Sequence, residues 1–228
     1  MYPKMNTKNV FNFWSVLGVV FWLAILVLVL VKLLVFQQVT VVGMSMEPNY
    51  FTSENLLVNQ LDKTIHRGQV VAVYRDKEIA KNADYFTRFN ATFYLKRVIG
   101  LPNEEIEMIG SKVIIYNSNY PQGAVLEETY LGDSVKNMQE QTKFYFPKTK
   151  IAEGQYFLMG DNRTNSTDSR SVGAFPSYSI FGQETIRFWP LARVDIFHLP
   201  NYKWLPVSDE LKADLIKNSQ SINIYQDQ

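Results

Sequence analysis

Residues Val16 to Val31 read VLGVVFWLAILVLVLV, a run without one charge or proline. The apolar character begins at Phe13 and Trp14 and continues past Lys32 to Phe36. About 20 apolar residues cross a bilayer as a helix, and inside hydrocarbon the helix satisfies its own backbone groups. A cleaved leader has a shorter apolar core, followed by small residues. Here the run ends in Phe36-Gln37-Gln38-Val39, with no A-x-A site. The expectation is an uncleaved anchor over 13–36, with Trp14 at an interface and Lys32 able to snorkel. Lys4 and Lys8 precede it with no acidic residue. The positive-inside tendency puts residues 1–12 in the cytoplasm and the rest outside.

Beyond the anchor lie roughly 190 residues, enough for one domain with a core and an insertion. The net charge of +1 implies no polyelectrolyte partner, so nucleic acid is not expected. The absence of cysteine excludes disulfides, zinc–thiolate sites and cysteine nucleophiles. Two histidines, His66 and His198, leave little for a metal site, and neither metal nor cofactor is expected.

Short β-branched and aromatic runs divided by turn residues predict strands. They fall at 37–42, 55–60, 69–75, 92–99, 156–159, 184–190 and 192–198, with a hairpin over 105–117. Residues 76–91 are polar and read as a loop or hairpin tip; from Ser118 to about Lys150 the pattern weakens. Residues 208–217 suggest one helix capped by Ser208, with a loose polar end from Asn218. The fold class is therefore mainly β: a transmembrane helix, then a β-rich domain over 37–102 and 156–200. An inserted β subdomain covers 103–155, and 201–228 reads as a C-terminal tail.

Residues 43–48, GMSMEP, place a serine in a turn just past the apolar run, within ~35 Å of extended chain. A serine hydroxyl becomes a nucleophile only beside a base. Nothing local marks His66 or His198 as that base. In TFYLKRVIG, strand alternation puts Tyr94, Lys96 and Val98 on one face and Leu95, Arg97 and Ile99 on the other. Arginine stays protonated, so of the adjacent cations only Lys96 can be a base, and only with a depressed pKa. Otherwise it is a solvated lysine on an edge strand. The loop GDNRTNSTDSR, residues 160–170, holds two aspartates and two arginines. It is either a solvated loop or a rigid polar support, with Asp161 and Asp168 pairing with Arg163 or Arg170.

Together these segments resemble type I signal peptidases, membrane-bound Ser/Lys proteases. Ser45-Met46-Glu47-Pro48 looks like the family's S-M-x-P box. Arg67-Gly68-Gln69-Val70-Val71 resembles its R-G-D-I/V-V box, with Gln69 where aspartate is usual. Tyr94 to Pro102 is similar to the lysine box, and Gly160 to Arg170 to the G-D-N-R-x-x-S-x-D-S-R box. The resemblance implies Ser45 as nucleophile, Lys96 as general base and Ser166 as the group that orients the amine. Asp161, Asn162, Arg163, Asp168 and Arg170 would hold the site. The Ser45 N–H would receive the oxyanion. Some relatives add an oxyanion hydroxyl two residues earlier; this chain has Gly43 there, so backbone or water would serve instead. Met44, Met46, Pro48 and Tyr94 are candidates for the substrate pocket.

The implied function is removal of signal peptides from exported preproteins by a bacterial cell-membrane enzyme, with small residues at the cut. The implied partners are signal peptides, the bilayer and the export translocon. The alternative is a non-catalytic or specialised membrane-tethered assembly or chaperone protein on the same scaffold, for example in pilus processing. A self-cleaving repressor or a plain adhesion domain fits less well, since neither explains an anchor together with four boxes.

Overall fold

A computed structural model describes residues 7–82, 92–132 and 145–221. It comprises two compact units, residues 1–37 and 38–228. In the first unit, helix α1 (Thr7–Val35) holds an 18-residue stretch, Phe13–Leu30, of mean hydropathy 2.7. That stretch is apolar all round and none of it is buried inside the protein. A helix with no polar face has no orientation that suits water, and its length and composition suffice to cross a membrane.

The second unit is built on an eight-stranded sheet. Along it run β1 (Phe36–Thr40), β2 (Asn55–Asn59), β11 (Ile180–Trp189), β3 (Val70–Tyr74), β4 (Phe93–Gly100), β9 (Gln155–Met159) and β10 (Phe175–Pro176). The two-residue β12 (Asp195–Ile196) pairs with β11. In β2, Leu56 and Val58 alternate inward. The unbroken apolar run of β3 is buried along its whole length, as expected for a central strand. β4 lies between β3 and β9, with Lys96 opposite Val71 and Arg97 opposite Met159.

A five-stranded sheet packs against it. Its strands are β5 (Glu105–Ile109), β6 (Lys112–Tyr116), β7 (Ala124–Glu127), β8 (Tyr145–Lys150) and β13 (Lys203–Pro206), in the order β13-β7-β6-β5-β8. One core joins the two sheets: Ile99, Phe157 and Met159 from the first meet Ile106, Met108, Val113, Ile115 and Leu126 from the second. One face of the inserted sheet is therefore covered by the first sheet.

Three segments depart from expectation. Residues 76–91 read as a loop, yet Lys77–Asn82 form α2, whose first turn is bound by the Asp76 carboxylate accepting from Ile79 N–H. Over 192–198 only Asp195 and Ile196 pair, because a 3-10 turn at Leu191–Arg193 turns the chain first. The expected tail supplies β13, whose Trp204 pairs with Leu126 and stacks on Tyr120 at 5.1 Å. Helix α3 (Asp209–Ser221) follows, with Ser208 Oγ accepting from Leu211 N–H at 3.1 Å, the cap expected. Val207, Leu211 and Leu215 cover Ile109, Ile114, Tyr116 and Val125, so this segment closes the inserted sheet. Residues 1–6, 83–91, 133–144 and 222–228 lie outside the described residues, and with them Lys4 and parts of the expected loop, insertion and tail.

Candidate active site

Ser45 stands in a tight turn between β1 and β2. Gly43 enters it at φ +91°, a conformation that glycine adopts without strain. Asn49 and Tyr50 then donate their N–H groups to the Met46 carbonyl at 3.1 and 3.0 Å. Met46 is 1% exposed and sits among Val41, Tyr50, Leu56, Val70 and Leu95. Burial of this one side chain pins the turn and presents the neighbouring Ser45.

Strand β4 carries Lys96 to meet it. Its Nζ donates to Ser45 Oγ at 2.8 Å and to Leu95 O at 3.0 Å, and lies 5.2 Å from the centre of the Tyr94 ring. Lys96 is 1% exposed, so it is not the solvated edge lysine that periodicity allowed. Strands on both sides of β4 exclude water from it.

Burial pushes the Lys96 amine down to about 8, helped by the charge of Arg170 and opposed by Asp168 and Asp161. About one amine in ten is then neutral at pH 7, far more than for a free lysine. The shift also makes a stability prediction. Between pH 8 and 10.5 the unfolded chain binds the extra proton, so stability rises with pH across that window. Below it the folded state carries a constant cost on the order of 3 kcal/mol. Lys96→Met is therefore expected to melt higher than wild type at pH 7, and the difference should shrink by pH 10.

The 160–170 loop runs beneath the turn. A side chain at Gly160 would come within 2.3 Å of both the Ser45 carbonyl oxygen and Ser166 Oγ, so only glycine allows this approach. Asn162 donates its backbone N–H to Ser45 O at 3.0 Å and its side-chain amide to Met44 O at 3.2 Å. Asp168 accepts from Gly160 N–H at 3.0 Å and from Arg170 Nε and Nη2, each at 2.8 Å. Burial would raise its carboxyl pKa, but Arg170 and the Gly160 N–H outweigh this and hold it low. Asp161 takes both Arg97 Nε and Nη2, at 2.8 and 2.7 Å. Among the described residues the Ser45 N–H has no partner.

A family model for signal peptidases, peptidase S26, matches residues 14–189. Signal peptidase I P of Bacillus subtilis subsp. natto is 32% identical over 179 residues, covering 75% of this chain and 87% of that one. The chain belongs to the peptidase S26 family. A probable signal peptidase I-2 of Synechocystis is 27% identical over 188 residues, covering 81% of this chain and 78% of the relative. The solved signal peptidase I of Enterococcus faecalis V583 is 26% identical, with a TM-score of 0.39 over 53% of this chain and 96% of that one. Membership makes this chain a hydrolase.

In this S26 peptidase the charged residues pair over longer distances than their spacing suggests. Asp168 does pair with Arg170, but Asp161 pairs with Arg97, and Arg163 with Glu128. Ser166 Oγ is buried; it bonds neither the Lys96 amine nor Ser45, and its hydroxyl helps hold the Asp168 carboxyl low. The N–H of Gly43, which stands where some relatives have that hydroxyl, donates to Thr52 Oγ1 at 3.1 Å. Of the pocket candidates, Met44 is 54% exposed, Pro48 and Tyr94 are half-buried, and Met46 belongs to the core. Gln69 is buried and donates to the Glu184 carbonyl at 3.3 Å. His66 is exposed, and His198 lines a cavity of about 380 Å³ with Asn49, Arg97, Tyr130 and Arg187; neither bonds Ser45.

Reading by sequence missed Arg97, Asn49, Glu128 and Tyr130. Asn49 donates its amide to Asp161 Oδ2 at 2.8 Å and to Tyr130 O at 3.2 Å. The available signal for Arg97 was alternation itself, which turned it away from Lys96 toward the far side of β4. An arginine facing a core needs a buried anion.

Proposed function

We propose that this chain is a membrane-anchored serine endopeptidase that removes N-terminal signal peptides from exported preproteins, with Ser45 as nucleophile and Lys96 as general base. The observation that carries the reading is the 2.8 Å contact between Lys96 Nζ and Ser45 Oγ inside a dry setting. That distance lies within reach for proton transfer.

Neutral Lys96 takes the Ser45 proton as Oγ attacks the scissile carbonyl. The unpartnered Ser45 N–H donates to the oxygen as charge develops on it. The protonated amine then gives its proton to the leaving amine, forming an acyl-enzyme and releasing one product. Water, deprotonated by Lys96, hydrolyses the ester and restores Ser45. The buried Ser166 hydroxyl, beside Asp168, orients the amine once it is charged. The Arg97–Asp161 and Arg170–Asp168 pairs hold the lysine strand and the loop in register.

Cleavage follows small residues at the first and third positions before the cut, as in Ala-X-Ala, with Met44, Pro48 and Tyr94 beside the site. Residues 13–36 span the bacterial cell membrane once, with 1–12 in the cytoplasm and the catalytic domain on the other side. Exposed Val42, Met44 and Phe51 surround the serine turn and suit a site that works against lipid, near the export translocon. A non-catalytic scaffold would have no use for a buried lysine on a serine hydroxyl.

The test is cleavage of a preprotein with an Ala-X-Ala site by the detergent-solubilised full chain. Wild type is expected to cut after the second alanine. Ser45→Ala, shown to be folded by circular dichroism, is expected to cut at background. A Ser45→Ala protein that cuts at the wild-type rate would overturn the reading.

A further inference from the structure

Glu128 and Tyr130 belong to none of the four sequence boxes. They follow β7, on the inserted sheet; Tyr130 meets the Tyr202 ring edge to face at 5.9 Å, and the pair's ionic and amide contacts run to the parts that carry the candidate catalytic pair. The Glu128 carboxylate is buried and spans the Arg163 guanidinium, taking Nη1 at 2.6 Å on Oε2 and Nη2 on Oε1. Arg163 Nε in turn donates to Gly160 O at 3.0 Å. Gly160 is the residue that packs directly on the Ser45 carbonyl oxygen and on Ser166.

Tyr130 reaches the other two parts. Its hydroxyl donates to Glu128 Oε1 and lies 3.2 Å from Arg163 Nη2. Its ring lies under the Arg97 guanidinium, 4.1 Å from the ring centre. Arg97 adjoins Lys96 on β4. The Tyr130 carbonyl accepts from Asn49 Nδ2, four residues beyond Ser45 in the same turn. Two neighbouring side chains and one carbonyl thus touch the serine turn, the lysine strand and the 160–170 loop together.

We propose that Glu128 and Tyr130 are positioning residues, a clamp through which the inserted sheet sets the approach of Ser45 to Lys96. The proposal rests on the Ser45/Lys96 reading. Neither residue touches the reacting atoms. Glu128 acts by fixing Arg163 and so the Gly160 backbone; Tyr130 acts through Arg97 and Asn49. Neutralising Glu128 leaves Arg163 buried without its carboxylate, and the loop beneath Ser45 is free to move. A displacement of about 1 Å between reacting groups is enough to cost rate heavily. Loosening here also admits water to the Lys96 amine, which a loss of folded protein alone does not do.

The experiment compares full-length wild type, Ser45→Ala, Glu128→Gln, Glu128→Asp and Tyr130→Phe in detergent, on a peptide with an Ala-X-Ala site, from pH 6 to 10. In Glu128→Gln, kcat is expected to fall about tenfold with KM changed by less than about twofold. The rising limb of kcat/KM is expected to move up from near 8 toward the ordinary lysine value. Glu128→Asp should recover part of kcat. Tyr130→Phe keeps the ring and the carbonyl, and should show the same changes at smaller size. A folded Glu128→Gln with wild-type kcat and limb overturns the clamp. So does a fall that only tracks lost folded protein while the limb stays in place. If Glu128→Gln does not fold, Tyr130→Phe decides by the same limb. An inactive wild type or an active Ser45→Ala overturns the Ser45/Lys96 reading and the clamp with it; an unmoved limb beside a working wild type overturns the clamp alone.

Discussion

Lys96→Ala is expected to abolish cleavage while the chain still folds. A serine hydroxyl at neutral pH gives up its proton only to a base within hydrogen-bond reach, and among the described residues Lys96 is the one such group on Ser45 Oγ. General-base assistance contributes about 10²–10⁴-fold, and a nucleophile–base pair acts as a unit, so the loss should be at least ~10³-fold in kcat. Folding survives because the variant removes a buried amine whose charged form is disfavoured where it lies. Lys96→Arg should be equally inactive, since a guanidinium cannot take the proton. The check is single-turnover cleavage beside circular dichroism. A folded Lys96→Ala that keeps more than about a tenth of wild-type kcat would place the base elsewhere.

Asp161→Ala should act on stability as strongly as Lys96→Ala acts on rate. Arg97 is 4% exposed, and two of its nitrogens bind this one carboxylate; its third contact is the Gly68 carbonyl at 2.9 Å. Removing the carboxylate leaves a buried guanidinium without an anion and takes an acceptor from Asn49. Breaking such a pair from one side costs about 3–5 kcal/mol. In a domain of this size that lowers Tm by roughly 10 °C. Asp195→Ala is the contrast: that carboxylate is 63% exposed and 3.5 Å from Arg187, and its loss should cost no more than about 1 kcal/mol. Thermal melts of both variants in one detergent decide this. Equal Tm values would show that burial does not strengthen the Arg97–Asp161 pair.

What was legible in the sequence follows from how local each signal is. An apolar run with no polar face fixes a helix by itself, and α1 runs through the expected 13–36 as far as Val35. Strand alternation sent Lys96 and Arg97 to opposite faces, and their contacts do diverge, one to Ser45 and the other to Asp161. Pairing across distance was not legible. The eleven residues of the 160–170 loop contain enough charge to satisfy one another, so local pairing was the economical expectation. It held only for Asp168 with Arg170, because Arg97 arrives from β4 and Glu128 from just after β7, 64 and 35 residues away. β8 was faint because an exposed edge strand with a proline carries little apolar alternation. β13 was faint for a related reason: it is four residues long, ends in proline and has one half-buried side chain, Trp204.

The pH dependence of kcat/KM for the wild-type full chain, on a peptide cleaved after Ala-X-Ala, is the measurement to make. Deprotonation of Lys96 makes the base, so activity must rise with pH through the value set by burial. The prediction is a single-proton rising limb with its midpoint near 8, absent at any measurable rate from Lys96→Ala. A midpoint near the ordinary histidine value of about 6.5, or a flat profile between pH 6 and 9, would contradict a buried lysine as the base.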